Sequence, residues 1–197
     1  PMDDSRIARL MGHLWSPIAA VTSQWQGKPN AQIAVAIGSA SIVPSMPRVV
    51  VQIYKRNYSH GLIHGSGAFA LNFLRQDQLD LVAGFGLVSG RDRYKLATVA
   101  YDLKSSGSPV LRDCWGYLDC WVVNAMDAGD MTCFLGEVIE GDTVTEGEPL
   151  WWRDAARQLS PQVMAAWMLK IGNEIQYSMS HMGEIDYTPW QPGGQSH

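Results

Sequence analysis

The spacing of apolar and polar positions changes character along the chain. Residues 17–25 and 31–38 are rich in small and β-branched side chains, and Gln26-Gly27-Lys28-Pro29-Asn30 between them carries turn residues. Together they predict a hairpin. Two prolines in Val43-Pro44-Ser45-Met46-Pro47 predict a loop, because proline cannot donate to a central ladder. Residues 48–54, dense in valine, predict a third strand, and residues 68–74 a fourth. Residues 116–125 and 131–145 predict two more, joined near Ala128-Gly129-Asp130. Helical spacing is shorter-lived. Asp3 and Asp4 ahead of Ile7, Leu10 and Met11 predict a short opening helix. Residues 58–65 predict a second, and Leu79, Val82 and Ala83 a third over 76–85.

The tail differs. Val163, Trp167, Ile171 and Ile175 recur every four residues beside Met164 and Met168, behind a Ser160 cap and Pro161 at the first helical position. This predicts an amphipathic helix over about 160–180 that covers a barrel face or a subunit boundary. Residues 189–197 carry Pro and Gly and are expected to be loose. The sum is a mainly β chain with flanking helices. Six predicted strands with tight turns point to a small antiparallel barrel, in one domain spanning 1–197.

Composition narrows the function. The 197 residues are 46% hydrophobic and only 17% charged, lean for a monomer surface. Eight tryptophans and nine methionines fit a chain that buries surface against a partner, though most of them suit a core equally well. The net charge of −4, with no basic stripe, argues against nucleic acid. No run approaches the ~20 apolar residues of a membrane span. Cys114, Cys120 and Cys133 form no Cys-x-x-Cys pair, so reduced thiols in a cytoplasm are expected.

Two segments carry candidate chemistry. Gly84-Phe85-Gly86-Leu87-Val88-Ser89-Gly90 is a small-residue turn, followed by Arg91 and Lys95 four apart. Glycines let backbone N–H groups turn toward a ligand, and two cations at that spacing can face one anion. It lacks the Gly-Lys-Ser/Thr of a Walker loop and the Gly-x-Gly-x-x-Gly of a dinucleotide fold. The second segment is Asn57-Tyr58-Ser59, opening a predicted helix just after Lys55 and Arg56. Helix N-terminal amides, a hydroxyl and two cations make an anion site. If the two segments converge, they grip one phosphate; taken apart, each reads as an ordinary solvated turn. Gly38-Ser39-Ala40-Ser41 ends a strand with small hydroxyl residues that let backbone approach a flat ring. His60 and His64 have metal spacing, but no acidic residue or cysteine stands near them in sequence, so no metal is expected.

In this order the motifs resemble the flavin reductase-like proteins, the FMN-binding split barrels, and among them the flavoredoxin-like ones. The resemblance runs from about Trp15 to Arg153. It rests on Pro17-Ile18-Ala19-Ala20-Val21-Thr22-Ser23, Gly27-Lys28-Pro29-Asn30-Ala31, Pro47-Arg48-Val49-Val50-Val51 and Asn57-Tyr58-Ser59. It continues through Gly67-Ala68-Phe69-Ala70-Leu71-Asn72, the Ser89-Gly90-Arg91-Asp92 run ending at Lys95, Thr132-Cys133-Phe134-Leu135-Gly136-Glu137-Val138 and Pro149-Leu150-Trp151-Trp152-Arg153.

The resemblance implies a homodimer of Greek-key-like split barrels with FMN near the subunit boundary, FAD or free flavin being alternatives. It implies that Asn30, Ala36, Ile37, Gly38, Ser39 and Ser41 line the flavin ring. Ser59 would hold the phosphate with Lys55 or Arg56 nearby. Ser89, Arg91 and Lys95 would reach in from the second loop, and Trp151 would stand as an aromatic beside the flavin. The implied activity is that of an NAD(P)H:flavin oxidoreductase serving free flavin, a monooxygenase or another acceptor. Alternatives are an electron carrier or sensor without nicotinamide turnover, or a barrel holding another planar ligand such as haem. Two positions depart from the pattern. Met131 stands where many relatives have a histidine, so no side chain is assigned an acid–base role. Ala36 stands where flavoredoxin-like relatives have a tryptophan.

Overall fold

A computed structural model describes residues 4–191. Helix α1 (Asp4–Gly12) leads into a hairpin of β1 (Ala19–Trp25) and β2 (Lys28–Ala34). The turn between them is only Gln26-Gly27, with φ of 51° and 72°. Two left-handed residues are what a two-residue hairpin with matching twist requires. The predicted five-residue turn was too long because it counted Pro29, which pairs with Gln24 inside the ladder. Proline is tolerated there because β2 is an edge strand of its sheet. The single strand expected over 31–38 is likewise two, broken at Val35-Ala36 before β3 (Ile37–Ser39).

Next come β4 (Arg48–Tyr54), α2 (Tyr58–Ser66), β5 (Ala68–Phe73) and α3 (Leu79–Gly86), all close to expectation. A small ribbon of β6 (Tyr101–Leu103) and β7 (Pro109–Leu111) was not expected. Strands this short carry too few alternations to register in sequence. The long pair β8 (Gly116–Asp127) and β9 (Met131–Thr143) follows, then α4 (Trp152–Gln158), also unforeseen, and α5 (Pro161–Met179). Ser160 Oγ accepts the Val163 N–H and caps α5, as its sequence predicts. Most of the loose tail expected over 189–197, residues 192–197, lies outside the described residues.

One seven-stranded antiparallel sheet runs β2-β1-β5-β8-β9-β4-β3. Its two edges, β2 and β3, are separated by only two residues of chain. The sheet must therefore curl until its edges meet, and the Gln52 N–H donates to the Ala36 carbonyl (3.1 Å), extending the β3–β4 ladder by one pair up to that seam. Register shifts at Asp119/Cys120 and Val122/Asn124 bend the β8–β9 ribbon to allow the curl.

Both faces of the curled sheet are buried along most of β1, which is why that strand shows no polar alternation, whereas β8 leaves Trp121, Val123 and Met126 exposed. Val21, Val51, Ile53, Phe69, Leu71 and Phe134 fill the inside. Ile18, Ala20, Leu74, Val82, Phe85 and Leu150 lie outside, under α3 and α4. Each fully buried Phe contributes roughly 1.5–3 kcal/mol. The three cysteines are free, and burial pushes the Cys114 thiol up to about 11.

Helix α5 turns Val163, Met164, Trp167, Ile171 and Glu174 inward, half-buried, and leaves Met168 and Ile175 66% and 52% exposed. A strict four-residue repeat drifts around a 3.6-residue helix, so the every-fourth run cannot stay on one face. No helix of the described residues is long and apolar enough to cross a membrane.

Candidate functional site

A cavity of about 860 Å³ opens at the seam of the sheet. That size lies within the ~300–1,000 Å³ range of small-molecule sites. Strand β2 supplies Asn30, Gln32 and Ala34 from its inner face, and Gln52 and Tyr54 stand across from them on β4. The turn after β4 gives Arg56, Asn57 and Tyr58, and the loop after α3 gives Ser89, Gly90 and Arg91. Helix α5 closes the remaining side with Met164, Trp167, Ile171 and Glu174.

The two cationic turns meet. Arg91 Nη1 donates to the Arg56 carbonyl (2.9 Å), and its guanidinium lies 5.5 Å from the Tyr58 ring centre. Arg56 rests its guanidinium 3.9 Å from the ring centre of Tyr177 near the end of α5. The Asn57 side chain makes no capping bond to the first turn of α2 beside them. Ser89 Oγ accepts the Arg91 N–H (3.2 Å), which tightens the second turn. Gly90 is required: a Cβ there would overlap the Asn30 side chain and the Tyr58 ring.

Not every expected residue reaches the cavity. Asn30, Ala36, Arg56, Ser89, Arg91, Lys95 and Met131 line it. Ser59 is buried and accepts the Asn30 Nδ2 hydrogen (2.9 Å), so it orients Asn30 from behind. Lys55 turns away to Asp127 (2.6 Å). Ile37, Gly38 and Ser39 pair with Val51, Val50 and Val49 beyond the seam and do not line the cavity. Ser39 and Ser41 satisfy their own loop, Ser39 Oγ donating to the Ser41 carbonyl. Trp151 is the N-cap residue of α4; its neighbour Trp152 lines the cavity, 4.8 Å from Trp167 between ring centres. His60, stacked near His64, is hydrogen-bonded to Thr132 (2.8 Å). Burial, with His64 and Lys55 nearby, drives its pKa down to about 4.

Lys95 is a special case. Its Nζ donates to the Phe85 carbonyl (2.7 Å) and is 8% exposed, so it ties the loop to α3. Burial first, and Lys170 second, lower its pKa to about 8.

Gln32, Gln52, Tyr54 and Trp15 were not anticipated, whereas α5, expected to cover a barrel face or a subunit boundary, closes the cavity. Gln32 left one trace: it is a polar residue on the strand face that also carries Asn30 and Ala34. Its side chain is 7% exposed and its Oε1 has no hydrogen-bond partner. An unpaired buried acceptor costs roughly 1–3 kcal/mol. A ligand N–H in the cavity would remove that cost. An unpaired acceptor in a mostly apolar pocket, with Arg56 and Arg91 in its lining, fits a flat ring that bears an imide N–H and a phosphate tail.

Comparison with known proteins identifies the family. The flavin reductase like domain matches residues 11–160, so the chain belongs to the flavin reductase-like domain family. It is 30% identical over 168 residues to the reductase component of 4-nitrophenol 4-monooxygenase/4-nitrocatechol 2-monooxygenase from Rhodococcus opacus, covering 85% of this chain and 87% of that protein. It is 31% identical over 132 residues to the high molecular weight rubredoxin of Moorella thermoacetica, covering 66% of this chain but only 57% of that relative's length. Among solved structures, the NADH:FAD oxidoreductase SgcE6 of Streptomyces globisporus C-1027 superposes with a TM-score of 0.64 at 26% identity, covering 73% of this chain and 84% of that one.

Proposed function

We propose that this chain is a flavin oxidoreductase that uses NAD(P)H and passes electrons to free flavin, a monooxygenase partner or another acceptor. The observation that carries the reading is that Arg91 reaches the backbone carbonyl of Arg56, so that both cationic turns line one cavity. Two guanidinium groups are suited to bidentate capture of a phosphate. FMN would be held by these two at its phosphate, with Asn30 and Gln32 toward its polar edge and Trp152, Trp167 and Met164 as apolar walls. Once bound, the flavin supplies the electron transfer, and the protein supplies orientation and a field.

The chain's own part is electrostatic. Arg56 and Arg91 neutralise the tail, and Lys95, held by Phe85, adds positive potential behind the loop. Met131 can neither give nor take a proton, so no side-chain acid is assigned. The apolar surface on and just after α1 and on α5 supports a homodimer with the cavity near its boundary; Leu10, Leu14, Met168 and Leu169 are 65–69% exposed.

Anaerobic titration with FMN tests the proposal. A saturable yellow complex bleached by NADH or NADPH is expected; no complex at all refutes it. A complex that neither nucleotide bleaches would favour a second reading, an electron carrier or sensor, to which Met131 lends support.

A further inference from the structure

The cationic turn after β4 is gripped from the far end of the chain. Tyr177, in the last turn of α5, lays its ring against the Arg56 guanidinium, whose carbon lies 3.9 Å from the ring centre. His181 stacks on the same ring, 3.9 Å between centres and 15° from parallel. Two flat groups that close cannot share one face, so Tyr177 is sandwiched between them. His181 is held in turn, because its Nδ1 donates to the Tyr177 carbonyl (2.8 Å). Ser180 Oγ donates to that carbonyl as well (2.8 Å).

The neighbouring Lys55 is tied to the same tail. It pairs with Asp127, whose carboxylate also accepts the Asp186 N–H (3.0 Å). At the β8–β9 turn, the backbone of Met182 lies where a Cβ on Gly129 would stand. The segment after α5 is thus fastened at successive residues, and the ring ahead of it is a fixed platform. An aromatic platform has a chemical consequence. A carboxylate partner would neutralise Arg56 and occupy its N–H edge. A ring engages only the flat face of the guanidinium and leaves its charge and N–H donors to the cavity that Arg56 lines. Ordering a free arginine weakens the capture it makes, and Tyr177 orders this one beforehand.

We propose that Tyr177, backed by His181, is the positioning residue that presents Arg56 to the phosphate of the bound ligand, so that α5 closes more firmly over a phosphorylated ligand than over its unphosphorylated counterpart. This rests on the flavin reading for the identity of the ligand; the coupling itself needs only a phosphate at Arg56. By linkage, a phosphate that fixes Arg56 also fixes Tyr177 and with it the end of α5.

The test uses the full chain, Tyr177→Leu and Tyr177→Phe, with circular dichroism as the check on folding. Calorimetry compares FMN with riboflavin, which has the same ring and no phosphate. Tyr177→Leu should weaken FMN binding about tenfold and leave riboflavin within about twofold, and Tyr177→Phe, which keeps the ring, should restore FMN to within about threefold of the parent. Equal losses for both ligands, or no loss, overturn the positioning role, because a residue that only shapes the wall does not tell the two apart. FMN bleached by NADH would then still uphold the oxidoreductase. Limited trypsin digestion reads the other side of the coupling. Inorganic pyrophosphate alone should slow cleavage after Lys170 of α5 in the parent and not in Tyr177→Leu. Such protection, with neither flavin bound by the parent, upholds the stack and refutes the flavin reading; no protection in the parent overturns the coupling.

Discussion

Lys95 holds an ammonium where water scarcely reaches. Its folded pKa of about 8 lies below the ordinary 10.5. Between those values the unfolded chain binds more protons than the folded one, so this group makes stability rise with pH across that window. Below about pH 8 both states are protonated and the full cost of burial is felt, on the order of 3 kcal/mol. Lys95→Met should therefore lose the rise in urea midpoint that the parent chain gains from pH 8 to 10. Parallel pH profiles for the two proteins would refute the assignment. The same residue shows what sequence can and cannot reveal about a site. Arg91 and Lys95 looked equivalent, four apart in one basic turn. Only the fold turns one toward Arg56 and buries the other against Phe85. Lys55 and Arg56 divide likewise, because Asp127, distant in sequence, claims the first.

Elements were legible in proportion to their length and regularity. Strand β4 and the start of α5 fell where valine density and a Ser-Pro cap put them. Three-residue β6 and β7 and seven-residue α4 were too short for a period to show. The join between α3 and α5 was also invisible, because it depends on an absent side chain. A Cβ on Gly86 would run into the Trp167 ring, with Ile33 close by. Gly86→Ala should push Trp167 outward and destabilise the chain by about 1–3 kcal/mol, the range for overpacking. Denaturant melts would register the loss, and protease cleavage within α5 should quicken. An unchanged melt and an intact helix would mean that Trp167 does not anchor α5.

At the scale of the molecule, the apolar faces of α1 and α5 remain uncovered. Helix α1 has no buried residue, although Ile7, Leu10 and Met11 share its apolar side. Sedimentation should report about twice the 21.7 kDa chain mass, and Leu10→Lys/Leu169→Lys should reduce it toward one chain. A parent protein that sediments as one chain at micromolar concentration would refute the homodimer. The mainly β architecture followed from turn spacing, but the closure of the sheet did not. Closure depends on β2 and β3 lying at opposite edges while only Val35 and Ala36 connect them. Linear spacing does not encode which strands become edges.

The wall built by α5 comes from residues past position 160, beyond the stretch that matches the family domain. Under the proposed function the doorway is written in the tail, while anchorage is shared between the two stretches, since Tyr177 of the tail stacks on Arg56. Exchanging the tail would re-select visitors and loosen one side of the handhold with them.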